Sequence, residues 1–248
     1  MGAVPAALSA RRVRRDRPGR RSRIPATPAR RARPAAGITH GVPMPAQTIR
    51  RATEADAVDL LPVFVEGFLD GPIADWLIED RDERRIIYER YFRLMLRQGL
   101  ANGWVDTTAG LNGAAIWYRR PAAAAGPPPG YQDDMAYATG RHLARFRLID
   151  AMFEEHRPRI EHIYLAFIAV APGHRGKGVG TALLAHAHAE LDEVGLPAYL
   201  EASNADNMRL YKRLGWEASP PLFLPKAGPP FWRMWRSQPD PTAADVTP

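Results

Sequence analysis

The residues best suited to chemistry lie in one run, Val170-Ala171-Pro172-Gly173-His174-Arg175-Gly176-Lys177-Gly178-Val179-Gly180-Thr181. Gly176, Gly178 and Gly180 alternate, which lets successive backbone N–H groups turn into one concavity. An amphipathic stretch follows, so the loop ends on a helix N-terminus, where free donors and the macrodipole favour an anion. Arg175 and Lys177 add positive charge, and the run reads as a cradle for a multiply charged group such as a pyrophosphate. Its spacing argues against two common phosphate ligands. A P-loop places Ser or Thr directly after its Gly-Lys pair, and here Gly178 follows Lys177. A dinucleotide fingerprint places Gly or Ala three residues after its second Gly, and here Thr181 stands there.

A buried strand must lead into such a loop and a helix must leave it. Residues 161–170 are almost continuously apolar, as in a strand covered on both faces. Residues 178–194 carry Val179, Leu183, Ala187, Leu191 and Val194 on one helical stripe, with Gly195 as the C-cap glycine. A second strand, 198–202, follows, and Ser203-Asn204 opens a helix ending at Leu214-Gly215. Strand, helix, strand is a crossover, so the two strands should be parallel. Upstream, Thr53 and Asp56 mark a helix start. Val58, Leu61, Val65 and Phe68 supply its apolar face, and Gly71-Pro72 stops it. A second helix over 82–99 places Glu83, Arg84, Arg90, Arg93 and Arg97 on a solvated face. Antiparallel strands over 103–107 and 112–118, a helix-prone stretch over 131–156 and two final strands over 216–224 and 231–236 complete the pattern.

The 248 residues include no Cys, which excludes a thiolate nucleophile, a zinc finger and an Fe–S cluster. No apolar run approaches the roughly 18 residues of a membrane span, and a cytoplasmic location without a membrane partner is expected. The net charge of +7 is unevenly placed. Residues 1–43 hold eleven Arg and one Asp, so the remainder of the chain is net negative. This Pro-, Ala- and Arg-rich segment lacks large apolar side chains and is expected to be a disordered extension. It reads as sequence upstream of a start at Met44, as an organelle-import segment, or as a nucleic-acid-binding arm without sequence preference. The expected organisation is an extension over 1–43, one domain over 44–238 and a loose tail over 239–248.

Arg175-x-x-Gly178-x-Gly180, preceded by Ala169-Val170-x-Pro172, resembles the acetyl-CoA signature of the GNAT acyltransferase superfamily. Asn204, with Leu210-Tyr211-Lys212-Arg213-Leu214-Gly215-Trp216 downstream, resembles that family's second motif. The resemblance spans about residues 47–236. Phe68-x-Asp70-x-Pro72, His156-Arg157-Pro158 and Leu200-Glu201-x-Ser203 make the chain most similar, within the superfamily, to the puromycin N-acetyltransferases. The resemblance implies an α/β (α+β) GNAT fold: a mixed, mostly antiparallel seven-stranded sheet with a central parallel pair that splays apart, and flanking helices.

It also implies roles. The backbone of Ile168, Ala169 and Val170 would pair with the pantetheine arm of acetyl-CoA. Arg175, Gly176, Lys177, Gly178, Val179, Gly180 and Thr181 would hold its pyrophosphate. Asn204 and Asn207 would contact pantetheine or fix the loop, and Asn204 reads equally well as a helix N-cap. Acetyl-CoA is the cosubstrate and no metal is expected. The partner is a small-molecule amine, with antibiotic resistance as a possible setting, and the chain is expected as a monomer or homodimer. An alkylamine of pKa about 10.4 is almost wholly protonated near neutrality, so direct attack on the thioester calls for a proton acceptor. Glu201 is the first choice, with a structural carboxylate as its alternative. Tyr211 suits protonation of the departing thiolate, against a role as a packed aromatic. Phe68, Asp70, Asp75 and Trp76 are expected to wall the acceptor site. His162 is a second candidate base. His186 and His188, two apart on a helix, face different sides and make no metal pair. Acetylation of a protein or peptide amine is the alternative within the fold.

Overall fold

The computed structural model describes residues 47–123 and 126–237. The expected extension over 1–43, the start at Met44 and the tail over 239–248 lie outside them. Eight strands run β1 Ile49–Arg51, β2 Trp104–Thr108, β3 Gly113–Arg120, β4 His162–Val170, β5 Ala198–Ala202, β6 Glu217–Ala218, β7 Leu222–Phe223 and β8 Pro230–Arg236. They form one sheet in the order β1-β2-β3-β4-β5-β8-β6, with β7 also on β8. The pair β4–β5 is parallel, and the other pairs are antiparallel. The continuous strand expected over 216–224 is instead two short pieces separated at Ser219-Pro220-Pro221, since neither proline has an N–H to give a ladder. That division accounts for eight strands instead of seven.

Helices α1 Ala57–Phe68, α2 Pro72–Leu77, α3 Arg81–Asn102, α4 Tyr131–Thr139 and α5 Leu143–His156 share one apolar cluster with one face of the sheet. Helices α6 Val179–Val194 and α7 Ala205–Arg213 contribute to the cluster on the other face. Of the apolar stripe expected for α1, Val65 and Phe68 are buried and Leu61 is partly so. Val58 is 78% exposed, and Leu60, Phe64, Gly67 and Phe68 are buried. The first helix ends at Phe68, ahead of Gly71-Pro72 as expected, and Pro72 then opens α2, its fixed φ suiting the first helical turn. On α3, Arg84 leaves the expected solvated face and is 1% exposed. It donates to the carbonyls of Leu69, Ile78 and Glu79 and pairs with Asp75 at 2.7 Å, tying α1, α2 and α3 together.

The arrangement that matters most lies at the centre of the sheet. Strands β4 and β5 pair only at Ile163↔Ala198 and Tyr164↔Tyr199. Beyond that point β4 keeps its ladder to β3 and β5 keeps its ladder to β8, so each strand holds its outer neighbour and loses the inner one. The cause is local. The β3–β4 register passes from Trp117↔Leu165 to Ile116↔Phe167, which leaves Ala166 as an extra residue in β4. Such a bulge bends and twists its strand. Here it lies two residues past Tyr164, the last residue paired to β5, and it puts both Ala166 and Phe167 on the same face.

Candidate active site

The loop after β4 and the opened seam form one cleft of about 340 Å³, lined by Val170, His174, Arg175, Gly176, Gly178, Val179, Gly180, Thr181, Asp206, Asn207, Leu210 and Arg213. Gly176 and Gly178 have φ of 72° and 77°, a left-handed geometry that side chains resist, and a Cβ at either would meet nothing within 4 Å. Gly178 is the N-cap of α6 and offers no side chain to cap it. The first-turn amides of α6 therefore lack both a helical acceptor and a side-chain cap at the cleft. The fit to a pyrophosphate is good.

The cations are arranged differently from expectation. Arg175 lines the cleft but is tied to main chain, donating to the carbonyls of Val170 (3.2 Å) and Glu66 (2.9 Å). Lys177 is exposed and does not line the cleft. Arg213, in the last turn of α7, does, and was not singled out from sequence although the motif contains it. Ile168, Ala169 and Val170 form the buried end of β4 past the last β5 pair. Asn204 accepts the Asn207 N–H at 2.9 Å as the N-cap of α7, and Asn207 is buried and donates to Ser203 Oγ at 3.3 Å. Tyr211, also on α7, is fully buried, and its hydroxyl has no hydrogen-bond partner among the described residues. Burial raises its pKa, which keeps the proton on oxygen. A buried hydroxyl without a partner is unfavourable, and Tyr211 does not itself line the cleft but packs in the apolar cluster beside Trp216.

On the opposite face of the sheet, Tyr199 and Glu201 project from β5 next to Tyr164 of β4 and Tyr118 and Arg120 of β3. The register aligns Tyr164 with both Tyr118 and Tyr199. Glu201 is 2% exposed and accepts the Tyr164 hydroxyl at 2.7 Å. Burial pushes its pKa up to about 7, against the lowering effects of Tyr164, Tyr199 and Arg120. The same carboxylate and burial push Tyr164 well above the ordinary phenol value. Arg120 lies over the rings of Tyr118 and Tyr164, at 5.7 and 5.2 Å. A cavity of about 20 Å³, lined among others by Arg120, His162, Tyr164, Tyr199 and Glu201, has room for a water or an amino group. His162 is buried with Nδ1 2.7 Å from the Ile160 carbonyl, and burial lowers its pKa. Asp150 of α5 is pushed by burial to about 7 and is also influenced by Arg120.

The four residues expected to wall the acceptor site line neither space. Phe68 belongs to the aromatic core, with ring centroids 5.0 Å from Phe92 and 5.6 Å from Phe167. Asp70 is exposed and held by Arg81 at 2.8 Å, which lowers its pKa. Asp75 pairs with Arg84, and Trp76 donates to the Pro225 carbonyl at 3.2 Å and stacks under Arg145. Asp75 and Trp76 thereby hold α2 in place, and Phe68 and Asp70 tie the end of α1 to α3. The residues around the small cavity have a signal in sequence: polar or aromatic residues two apart, Tyr118 and Arg120, His162 and Tyr164, Tyr199 and Glu201, break the apolar face of three interior strands. His186 and His188 have different partners. His188 accepts from Trp216 Nε1 at 3.0 Å, and His186 lies 3.5 Å from Glu190.

Residues 135–216, from α4 to the end of the second motif, match the profile of the acetyltransferase (GNAT) family. Among solved structures, the chain is similar to one from Corynebacterium glutamicum described as histone acetyltransferase HPA2 and related acetyltransferase. The two are 25% identical with a TM-score of 0.59, over 79% of this chain and 99% of that one. Arylalkylamine N-acetyltransferase 2 from Aedes aegypti shares the fold at 11% identity, with a TM-score of 0.56 over 77% of this chain and 98% of that one. The sheet order, the parallel pair and the flanking helices are those of the GNAT fold, and residues 135–216 are similar to the GNAT acetyltransferase family.

Proposed function

We propose that residues 44–238 form a domain that transfers an acetyl group from acetyl-CoA to the primary amine of a small molecule by direct attack on the thioester. The observation that carries this reading is the β4–β5 ladder, which ends at Tyr164↔Tyr199 and leaves the edge of β4 unpaired to β5 between a glycine cradle and a buried carboxylate. In this reading the pantetheine arm lies along Ile168, Ala169 and Val170 as a missing strand would. The pyrophosphate lies on the amides that follow Arg175, with Arg213 as a nearby cation. Asn207 steadies the loop through Asn204 and Ser203.

Glu201 is the general base. A carboxyl with pKa near 7 is well matched to accept a proton from an ammonium, directly or through a water in the cavity beside it. The amine then attacks the carbonyl carbon, the carbon–sulfur bond breaks as the Tyr211 hydroxyl gives the leaving thiolate its proton, and the resulting phenolate takes up the second proton that the new amide nitrogen sheds. The acceptor class we favour is an aminonucleoside or similar antibiotic-like amine. The likeness to puromycin N-acetyltransferases supports it, as does the row of Tyr118, Tyr164 and Tyr199 against which a planar group could stack. A protein or peptide amine is the second reading, favoured by the description of the Corynebacterium relative as a histone acetyltransferase.

A panel of aminonucleosides, aminoglycosides, polyamines and short peptides, assayed for acetyl-CoA-dependent thiol release, tests both. Turnover of an aminonucleoside with calorimetric binding of acetyl-CoA is expected. Peptide turnover alone would favour the second reading, and absence of acetyl-CoA binding would overturn both.

A further inference from the structure

Away from the cleft, α6 meets the edge of the sheet at three side chains that neither the fold nor the proposed reaction uses. Asp106 of β2, His186 and Glu190 each present a donor atom, and the three atoms lie within 4.8 Å of one another. We propose that they form a site for a divalent transition metal of the zinc class, which clamps α6 onto β2.

The partition of oxygens supports this. Arg51 of β1, opposite Asp106 in the ladder, donates to Asp106 Oδ1 and to Glu190 Oε2, the latter at 2.7 Å. It uses one oxygen of each carboxylate and leaves the other. Asp106 has no side-chain exposure, and its Oδ2 has no hydrogen-bond partner among the described residues. A buried carboxylate oxygen without a donor is unfavourable, and a cation is the group that would satisfy it. The second Glu190 oxygen, Oε1, lies 3.5 Å from His186 Nε2. His186 and Glu190 are one helical turn apart, so they present ligands side by side.

The donor set selects the metal class. One imidazole nitrogen and two carboxylate oxygens suit zinc with a water as fourth ligand, whereas calcium takes six to eight oxygens. Zinc bonds of about 2.0–2.2 Å require the donors to close inward by roughly an ångström. His186 and Glu190 are only half-buried, so they have freedom to swing, and their exposure provides an entry path. Arg51 remains as counter-charge balance on the other side of the carboxylates. The consequence is mechanical: the first turn of α6 forms the cradle, and the clamp fixes the same helix two turns later.

Equilibrium dialysis of the full chain against zinc, with melting temperature as the second readout, tests the site independently of catalysis. One equivalent of zinc and a raised melting temperature are expected. His186→Ala and Glu190→Gln, both on partly exposed positions, should each weaken binding by about tenfold or more and abolish the thermal shift. His142→Ala, at a histidine paired instead with Glu83, should change neither. No stoichiometric binding, or binding that survives His186→Ala undiminished, would overturn the proposal.

Discussion

The two sides of the opened seam are built on different principles. The donor side consists mainly of backbone: positive-φ glycines, a helix end without a side-chain cap, and a strand edge whose parallel partner has turned away. The acceptor side consists of buried side chains whose protonation is tuned by one another, with Glu201 held between tyrosines and Arg120. Main-chain donors suit a ligand that never changes, because a backbone amide has one charge state and a fixed direction. A carboxyl raised to about 7 suits a step that must take up and release a proton. In the proposed reaction the contrast separates binding of the acyl donor from activation of the amine.

Variants should divide along the same line. Glu201→Gln is expected to lower kcat by about 10²- to 10⁴-fold in a steady-state assay while acetyl-CoA binds as before. The same variant has a stability signature. Glu201 titrates near 7 when folded and near 4.5 when free, so its protonated form stabilises the fold at low pH and that contribution is lost as pH rises through about 7. Glutamine stays neutral. The variant should melt at a higher temperature than the parent at pH 9 and at a similar one at pH 4, measured by calorimetry. Equal melting curves at pH 9 would remove the assignment of a strained buried carboxyl.

Gly178→Glu acts on the other side. It imposes a side chain on a φ of 77° and sets a negative charge at the cradle, so affinity for acetyl-CoA should fall by about 100-fold by calorimetry. Tyr211→Phe should lower kcat by about 100-fold, the modest end of acid catalysis, with donor affinity and melting temperature nearly unchanged. A large loss of stability instead would mark Tyr211 as a packing residue. The smallest effect is expected at Asn204. Its side chain caps α7 in the structure, so Asn204→Ala should lose about 1 kcal/mol of stability, whereas Asn204→Asp should retain it.

The donor side was also the more legible in sequence. Its glycines, Arg175 and the start of α6 are contiguous, and local rules for turns and helix ends apply directly to them. The parallel strands followed from one crossover for the same reason. The acceptor side assembles Tyr118, Tyr164, Tyr199 and Glu201 from three strands, and their convergence depends on register, which no local pattern states. The bulge at Ala166 was equally silent, because alanine fits either face of a strand. Arg84 misled for a related reason. Its position on α3 reads as solvated, and only the close approach of the α1 and α2 carbonyls makes burial favourable. Phe68, Asp70, Asp75 and Trp76 sit in a segment with weak periodicity, and their partners Phe92, Arg81, Arg84 and Pro225 come from α3 and the region before β8, distant in sequence.

A crystal structure of the chain with acetyl-CoA would test the account most directly. The pantetheine arm should lie along β4 between Leu165 and Val170, hydrogen-bonded to its main chain, with the pyrophosphate over the amides of residues 176–181 and the thioester between Glu201 and Tyr211. A cofactor bound outside that seam, or strands β4 and β5 laddered together past Tyr164 and Tyr199 with the cofactor elsewhere, would contradict it.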